Sequence, residues 1–250
     1  MIMSEQAPFD TIGRPPKLGD LVYGELKRSI IGYRLQTDRL YSEKDLAELF
    51  RVSRAPVREA MIRLSSEGLV EILPNKGMRV VELDQKDIAE CFQMREALET
   101  WIVRRLVEVP SAETVRTLRA NLRRQEEILE RGDLQDWVIQ NFEFHMDLAR
   151  CTGNERLSRT LASISEQVQR VGLALIPRAR PMRDAYIEHC AIVDAICKGD
   201  ALLAEREVLG HLGRNADLYQ KLRSSDPTNL YITEEVLNDH HEPDRTIDPL

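Results

Sequence analysis

Between residues 41 and 83 the apolar positions recur first at helical spacing and then in two short strand-like runs. Ser42 and Asp45 form a helix-capping pattern, which predicts a short helix ending near Phe50. Ser53 is a residue type common at N-caps and predicts a second helix, which Gly68 ends. This second helix carries apolar residues three and four positions apart, which we expect to be buried. They are Val57, Ala60, Met61 and Leu64.

A β-hairpin is predicted after the second helix. Residues 69–73 and 78–83 read as strands, and the Pro-Asn-Lys-Gly sequence at 74–77 reads as the tight turn between them. A small helix, a tight turn, a second helix and a hairpin follow one another in this order in a winged helix-turn-helix.

The rest of the chain reads as helices. One is predicted at residues 18–31, and six more follow Asp84, separated by caps, glycines and prolines. Their predicted spans are 85–108, 112–131, 134–151, 155–175, 181–198 and 201–222. Long helices joined by short breaks are typical of an antiparallel bundle.

The predicted fold is therefore mainly α, with an N-terminal winged helix-turn-helix followed by an all-α six-helix antiparallel bundle. We expect the DNA-binding domain at residues 17–84 and the helical domain at residues 85–222. Residues 1–16 are expected to form a flexible leader, and residues 223–250 a polar tail.

The net charge of −7 argues against nucleic-acid binding when the chain is taken as a whole. Residues 1–84, however, contain 13 basic and 13 acidic residues, so the excess negative charge lies after residue 84. We expect a cytoplasmic protein, because no apolar run is long enough to span a bilayer and the N-terminus has no signal-peptide pattern. The four cysteines lack paired spacing and are expected to be reduced thiols.

The second helix of the helix-turn-helix pattern is basic. Residues 51–63 contain four arginines and one glutamate, and Arg54 and Arg58 project together from a different face than the apolar stripe. A solvated helix face is the alternative for such a cluster. The order of the elements favours DNA instead, because it lets a recognition helix enter the major groove while a basic hairpin contacts the flanking backbone.

This part of the chain resembles the DNA-binding domain of GntR-family transcription regulators. The matching segments are residues 42–47 (SEKDLA), 52–60 (VSRAPVREA) and 64–70 (LSSEGLV). The resemblance implies that a set of residues lies against the DNA, with the last two forming the tip of the wing: Lys44, Ser53, Arg54, Ala55, Arg58, Lys76 and Gly77. Ala55 departs from the family, which more often has threonine or serine there, and this removes a hydroxyl contact.

Three of the five histidines lie in the predicted bundle, each on the apolar face of its helix: His145, His189 and His211. Three inward imidazoles could hold a divalent metal, and Asn141, one helical turn before His145, could supply a fourth ligand. Spacing alone does not bring the three helices together, so a polar bundle core remains the alternative.

The second domain resembles the FCD effector domain of the FadR-like subgroup of GntR regulators. The matching segments are residues 94–99 (MREALE), Phe144 and His145 with Gly153 and Asn154, Glu188 and His189 with Ile192 and Ala195, and His211. Metal-binding members have one aspartate and three histidines, and Asn141 stands here at the aspartate position. The resemblance implies a divalent metal, zinc or nickel, although an amide oxygen is a weaker ligand than a carboxylate.

The same resemblance implies that Arg95 faces the pocket and binds a small organic acid effector through its planar fork. The alternative for Arg95 is a surface ion pair with Glu99, one turn further along the helix.

The leading hypothesis is a homodimeric, DNA-binding transcription regulator that senses a small carboxylate-type metabolite. A metal-independent sensor on the same fold is the first alternative, and Asn141 is the feature that favours it. A metal-dependent hydrolase is the second. It is disfavoured because Glu143 points to a different side of its helix from His145 and the chain has no H-E-x-x-H pattern, so we expect no enzyme.

Overall fold

The computed structural model describes residues 17–32, 34–175 and 182–225. These residues form nine helices and three short strands, as expected for the mainly α fold. Within them the chain divides into two compact units, one containing residues 17–28 and 38–80, the other containing residues 29–32, 34–37 and 81 onward. The predicted leader and the tail beyond residue 225 lie outside the described residues, and the domain boundaries remain predictions.

The elements follow one another in the predicted order, with one additional strand. Those of the N-terminal part are α1 (Leu18–Ile31), β1 (Leu40–Tyr41), α2 (Glu43–Phe50), α3 (Arg54–Ser66), β2 (Val70–Leu73) and β3 (Gly77–Val80). Those of the helical part are α4 (Gln85–Glu108), α5 (Ala112–Arg131), α6 (Leu134–Cys151), α7 (Glu155–Leu175), α8 (Met182–Lys198) and α9 (Ala201–Ser225).

Helices α2 and α3 form the helix-turn-helix. Ser42 caps α2 by accepting a hydrogen bond from the Asp45 N–H at 3.0 Å. Arg51 ends this helix in the left-handed conformation, with φ of 55°. The predicted apolar stripe of α3 is buried, from Val57 and Ala60 to Met61 and Leu64.

Ser53 precedes α3 in an extended conformation, but its side chain makes no capping hydrogen bond. Ser53 is therefore the N-cap residue of α3, as predicted, although its hydroxyl does not cap the helix. Ser53 is exposed, so water can satisfy the open N–H groups of the first turn and the hydroxyl is not needed there.

The three strands form one antiparallel sheet in the order β1-β3-β2. Strand β3 is shorter than predicted because Val80 pairs with Val70, the first residue of β2, so the residues after Val80 have no β2 partner. Strand β1 was not predicted, since its two residues are too few to show an alternating pattern.

Gly77 opens β3 where the chain leaves the tip of the wing. Its φ is +121°, and an added Cβ atom would lie 2.2 Å from the Tyr41 carbonyl oxygen. Only glycine fits this backbone conformation and this close approach to β1. Gly77 therefore has a structural role in the wing whether or not it contacts DNA.

The six helices α4 to α9 enclose the hydrophobic core of the helical part. Helix α4 packs against α9, α7 and α6, while α8 packs against α5 and α9. The largest side chains of this core are fully buried and include Phe92, Ile102, Leu118, Phe144, Leu148, Leu161 and Ile192. The predicted ends of α4 to α7 match the structure, whereas α9 continues to Ser225 rather than ending at 222. None of the described helices is long and apolar enough to cross a membrane.

We predict that Gly77→Ala destabilises the N-terminal part by about 2 kcal/mol or more, because the new methyl group would meet backbone atoms at a positive φ. Gly24→Ala is the matched control. Gly24 lies inside α1 and a Cβ atom there would meet nothing within 4 Å, so this change should stabilise by about 0.5 to 1 kcal/mol. Urea denaturation followed by circular dichroism measures both, and equal effects of the two substitutions would contradict the assigned role of Gly77.

Candidate metal centre and nucleic-acid interface

The three histidines predicted to point inward meet in the helical core. His145 on α6, His189 on α8 and His211 on α9 are buried, and one ring nitrogen from each lies within 4.8 Å of the others. The Nε2 atoms of His145 and His211 are 3.3 Å apart. Convergence of the three imidazoles, which sequence spacing could not establish, is therefore present in the structure.

The outer nitrogen of each imidazole has a hydrogen-bond partner. His145 Nδ1 lies 2.6 Å from Glu99, His189 Nδ1 lies 2.7 Å from the Gln125 side-chain oxygen, and His211 Nδ1 lies 2.8 Å from Glu188. A carboxylate only accepts hydrogen bonds, so the proton of His145 and of His211 belongs on Nδ1. Their Nε2 lone pairs then point toward the centre of the cluster.

A divalent cation fits this donor set. Metal-binding imidazoles usually donate their other N–H to a carboxylate, a carbonyl or water, and His145 and His211 each have a carboxylate at Nδ1. The His189 Nε2 atom is itself buried. The Nε2 atoms of His145 and His211, 3.3 Å apart, are close enough to bind one cation together.

Aromatic rings hold His189 in place. Its ring stacks on Phe144 with centroids 4.0 Å apart, and Trp137 lies nearly parallel to it at 6.4 Å. Phe144 also contacts His145 edge-on. Packing therefore limits rotation of the imidazole, which favours a site formed before any ligand arrives.

The electrostatics of the cluster favour the neutral forms of His145 and His211. Burial lowers the pKa of His145 to about 4, although Glu99 opposes this shift. Burial also lowers the pKa of His211, against its hydrogen bond with Glu188. For Glu99, burial alone would raise the pKa, but Arg95 and His145 outweigh it and lower the pKa to about 2. At neutral pH a carboxylate thus lies beside an uncharged ring that can donate its lone pair.

Arg95 is buried with Glu99, to which its Nε donates a hydrogen bond of 2.8 Å. The two residues form the ion pair considered as an alternative, but the pair is buried and not at the surface, since the side chains of Arg95 and Glu99 are only 6% and 0% exposed. One terminal guanidinium nitrogen of Arg95 has no partner among the described residues. A buried donor of this kind is costly unless a ligand satisfies it.

The remaining predicted ligand, Asn141, lies on α6 one turn before His145 and is partly buried. Its role as a ligand stays a prediction. Sequence reasoning missed a second amide, Asn215, whose side-chain nitrogen is 3.1 Å from His211 Nε2. The signal was available, because Asn215 is one helical turn beyond His211 on α9.

Three partners of the histidines were also missed as functional residues: Glu99, Gln125 and Glu188. Each is a polar residue at a position that faces other helices. Polar residues are uncommon at buried positions unless they have a hydrogen-bond partner. Polar residues at inward-facing positions of the predicted helices were therefore the available signal.

The residues predicted to contact DNA lie on the surface of the N-terminal part. Arg54 and Arg58 are exposed on the first turns of α3, and Lys76 is exposed at the wing tip. Arg58 donates two hydrogen bonds of 2.9 Å to Glu43 of α2. Glu43 was not predicted to take part, and it fixes the orientation of the Arg58 guanidinium.

The other side chains predicted to contact DNA are exposed and make fewer hydrogen bonds within the described part of the chain than Arg58 does. Lys44 forms an exposed ion pair of 3.7 Å with Glu48, and Ser53 and Ala55 are exposed beside Arg54. On the wing, Arg79 pairs with Glu71 on the neighbouring strand at 2.7 Å. Exposed ion pairs of this kind contribute little to stability and can be exchanged for phosphate contacts.

Comparison with known proteins covers both parts of the chain. Residues 18–80 match the bacterial regulatory proteins of the gntR family, and residues 90–214 match the FCD domain. The chain is 32% identical over 170 residues to a protein of Paenarthrobacter nicotinovorans named as a probable D-xylose utilization operon transcriptional repressor, with coverage of 68% of this chain and 74% of that protein. It is 27% identical over 202 residues to the HTH-type transcriptional repressor RspR of Escherichia coli K12, with coverage of 81% and 89%.

Among solved structures, E. coli McbR/YncC is similar with a TM-score of 0.72 and 22% sequence identity. The match covers 83% of this chain and 99% of that one. At this identity the likeness concerns the fold.

We predict that the metal-free protein loses stability as the pH falls from 7 to 5. The pKa of His145 is about 4 in the folded protein and 6.5 in an unfolded chain, so the unfolded state binds more protons over this range. For His145 alone the loss is about 2 kcal/mol at pH 5, and it levels off below about pH 4. Denaturant titrations at several pH values measure it.

His145→Gln is the control for this prediction, because it removes the buried imidazole and should reduce the pH dependence between 7 and 5. An unfolding free energy that stays constant over this range in the unsubstituted protein would contradict the buried neutral state of His145.

Proposed function

Since the chain is a DNA-binding transcription regulator of the GntR family with an FCD domain, we propose that its helical domain binds a small organic acid at a divalent metal ion. This binding would change the affinity of the protein for its operator. The observation that carries the proposal is the convergence of three buried imidazoles whose Nδ1 atoms all have partners. The relatives named above are regulators, and the chain is a regulator rather than an enzyme.

His145, His189 and His211 would hold the metal, with Asn141 as the fourth protein ligand. Three neutral nitrogens suit zinc or nickel, and an amide oxygen in place of a carboxylate lowers affinity without preventing binding. When bound, the metal supplies a positive charge that attracts an anionic ligand. Glu99, Gln125 and Glu188 orient the three rings toward it.

Arg95 would bind the carboxylate of the effector. Its Nε donates to Glu99, which leaves its terminal nitrogens for a ligand, and one of them has no partner among the described residues. Glu99 joins this arginine to His145, so the effector group and the metal would be held by one connected set of side chains. A bidentate contact from arginine suits a carboxylate better than a neutral ligand.

A metal-independent sensor is the second candidate. Asn141 favours it, since the expected charged ligand is absent from that position. In this case the ligand would itself satisfy the terminal nitrogen of Arg95 that has no partner among the described residues.

The output of the site would be a change in DNA binding by a homodimer. Two recognition helices fit two half-sites only at the correct separation, so an effector that favours one arrangement shifts the population that can bind. The related proteins from P. nicotinovorans and E. coli are named repressors, which supports repression as the outcome.

We predict close to one metal ion per subunit in untagged protein purified without chelator, and loss of that metal in His189→Ala. Elemental analysis measures both, with circular dichroism to check that the variant is folded. Cys190→Ala is the matched control, since Cys190 is next to His189 on α8 but outside the cluster, and it should keep the metal. Absence of metal from both the unsubstituted protein and the control would overturn the metal site and leave the DNA-binding function intact.

We also predict that Arg58→Ala and Arg95→Lys separate the two activities. Arg58→Ala should weaken binding to an operator selected from randomised DNA by about 1 to 3 kcal/mol, because a contact from the recognition helix is lost. Arg95→Lys should leave operator binding unchanged and lower affinity for any carboxylate that stabilises the unsubstituted protein in a thermal-shift screen, since lysine lacks the planar fork.

Arg131→Ala controls for the change of charge. Arg131 is exposed in the helical part and pairs with Asp136 at 3.3 Å, so neither activity should change. The same losses in Arg58→Ala and Arg95→Lys would disprove this division of roles.

A further inference from the structure

A chain of hydrogen bonds leads from His189 through the core to a carboxylate near the surface. His189 Nδ1 is 2.7 Å from Gln125 Oε1, Gln125 Nε2 donates to Asn121 Oδ1 at 2.8 Å, and Asn121 Nδ2 donates to Asp147 Oδ2 at 2.7 Å. His189, Gln125 and Asn121 are fully buried. Asp147 is 14% exposed and its other oxygen accepts from Arg150 at 3.1 Å.

His189 differs from the other two histidines in the chemistry of its partner. Glu99 and Glu188 are carboxylates, so each can only accept from the imidazole beside it. Gln125 is an amide, which presents an oxygen in one orientation and an NH2 group in the other. Turned over, Gln125 would donate to Nδ1, and the proton of His189 would move to Nε2, where it would block a ligand.

The carboxylate at the end of the chain removes this ambiguity. Because Asp147 only accepts, Asn121 must present its NH2 group to Asp147 and its oxygen to Gln125. Gln125 must then present its NH2 group to Asn121 and its oxygen to His189. The imidazole can satisfy that oxygen only by carrying its proton on Nδ1, which leaves the lone pair on Nε2.

We propose that Asp147 is a positioning residue that sets the tautomer of His189 through the oriented amides of Asn121 and Gln125. The importance of the tautomer for ligand binding rests on the proposed function, but the tautomer itself is a property of the metal-free protein.

The test is a long-range ¹H–¹⁵N correlation spectrum of histidine-labelled, metal-free, full-length protein near neutral pH. The nitrogen shifts distinguish the two neutral tautomers, and a His189→Gln variant identifies the His189 signals. The unsubstituted protein should show His189 protonated on Nδ1. In Asp147→Asn the terminal amide can donate or accept, so the chain loses its direction and His189 should show protonation on Nε2 in a substantial fraction of molecules.

Glu143→Gln is the matched control. Glu143 lies on the same helix as Asp147 and also accepts a hydrogen bond from Arg150, at 2.7 Å. It is not part of the hydrogen-bond chain that leads to His189. It should leave the tautomer unchanged. The double change Asp147→Asn with Asn121→Asp moves the carboxylate one step inward, where it still accepts from Gln125, and should restore protonation on Nδ1. A purely structural role for Asp147 would not give this rescue.

Zinc titration separates this inference from the proposed function. If both hold, Asp147→Asn should weaken zinc binding about 10-fold to 100-fold, while Glu143→Gln leaves it unchanged. Zinc binding with a His189 tautomer that is insensitive to Asp147→Asn would overturn the inference and spare the metal site. A tautomer that changes as described, in a protein that binds no zinc, would support the inference and overturn the metal site.

Discussion

The helical core depends on the hydrogen bonds of two carboxylates, each of which lies between an arginine and a histidine. Glu99 accepts from Arg95 and His145, and Glu188 accepts from Arg214 and His211. A carboxylate removed from water is costly unless its charge is balanced and its oxygens are hydrogen-bonded. These pairs meet both conditions and connect α4 to α6 and α8 to α9. The same hydrogen bonds fix the imidazole protons, so the interactions that make buried charge tolerable also prepare the ring nitrogens for a ligand.

The N-terminal part arranges its charges in the opposite way. Its apolar stripe is covered, and its arginines remain at the surface, where water and salt screen them. The Glu43 carboxylate holds Arg58 by two hydrogen bonds, and both side chains can exchange that contact for another. Such a surface suits a reversible contact with a polyanion, whereas the buried network of the helical core suits selective binding of one small ligand.

Sequence reasoning located the elements well where a strong local signal existed. The cap at Ser42 begins α2 as predicted, and α5 and α6 end at the predicted residues, just before Gly132 and Gly153. It failed where tertiary contacts decide. Strand β1 exists because β3 is available to pair with it, and the partners of the histidines lie on other helices. Helical periodicity could place His189 on an inward face, but it could not show that Gln125 of α5 would meet it.

The charge of the cluster gives the asparagine at position 141 a physical meaning within the proposed site. Glu99 is balanced by Arg95 and Glu188 by Arg214, and burial lowers the pKa of His145 and of His211, which favours their neutral forms, so these side chains together carry little net charge. An aspartate at this position would cancel part of the charge of a divalent ion, whereas the amide of Asn141 cancels none. A bound metal would then be held less tightly, but it would keep its full charge for an anionic effector. In the proposed site, weaker metal binding and stronger attraction of a carboxylate would both follow from the amide at position 141, so metal retention and effector sensing would not have to be optimised together.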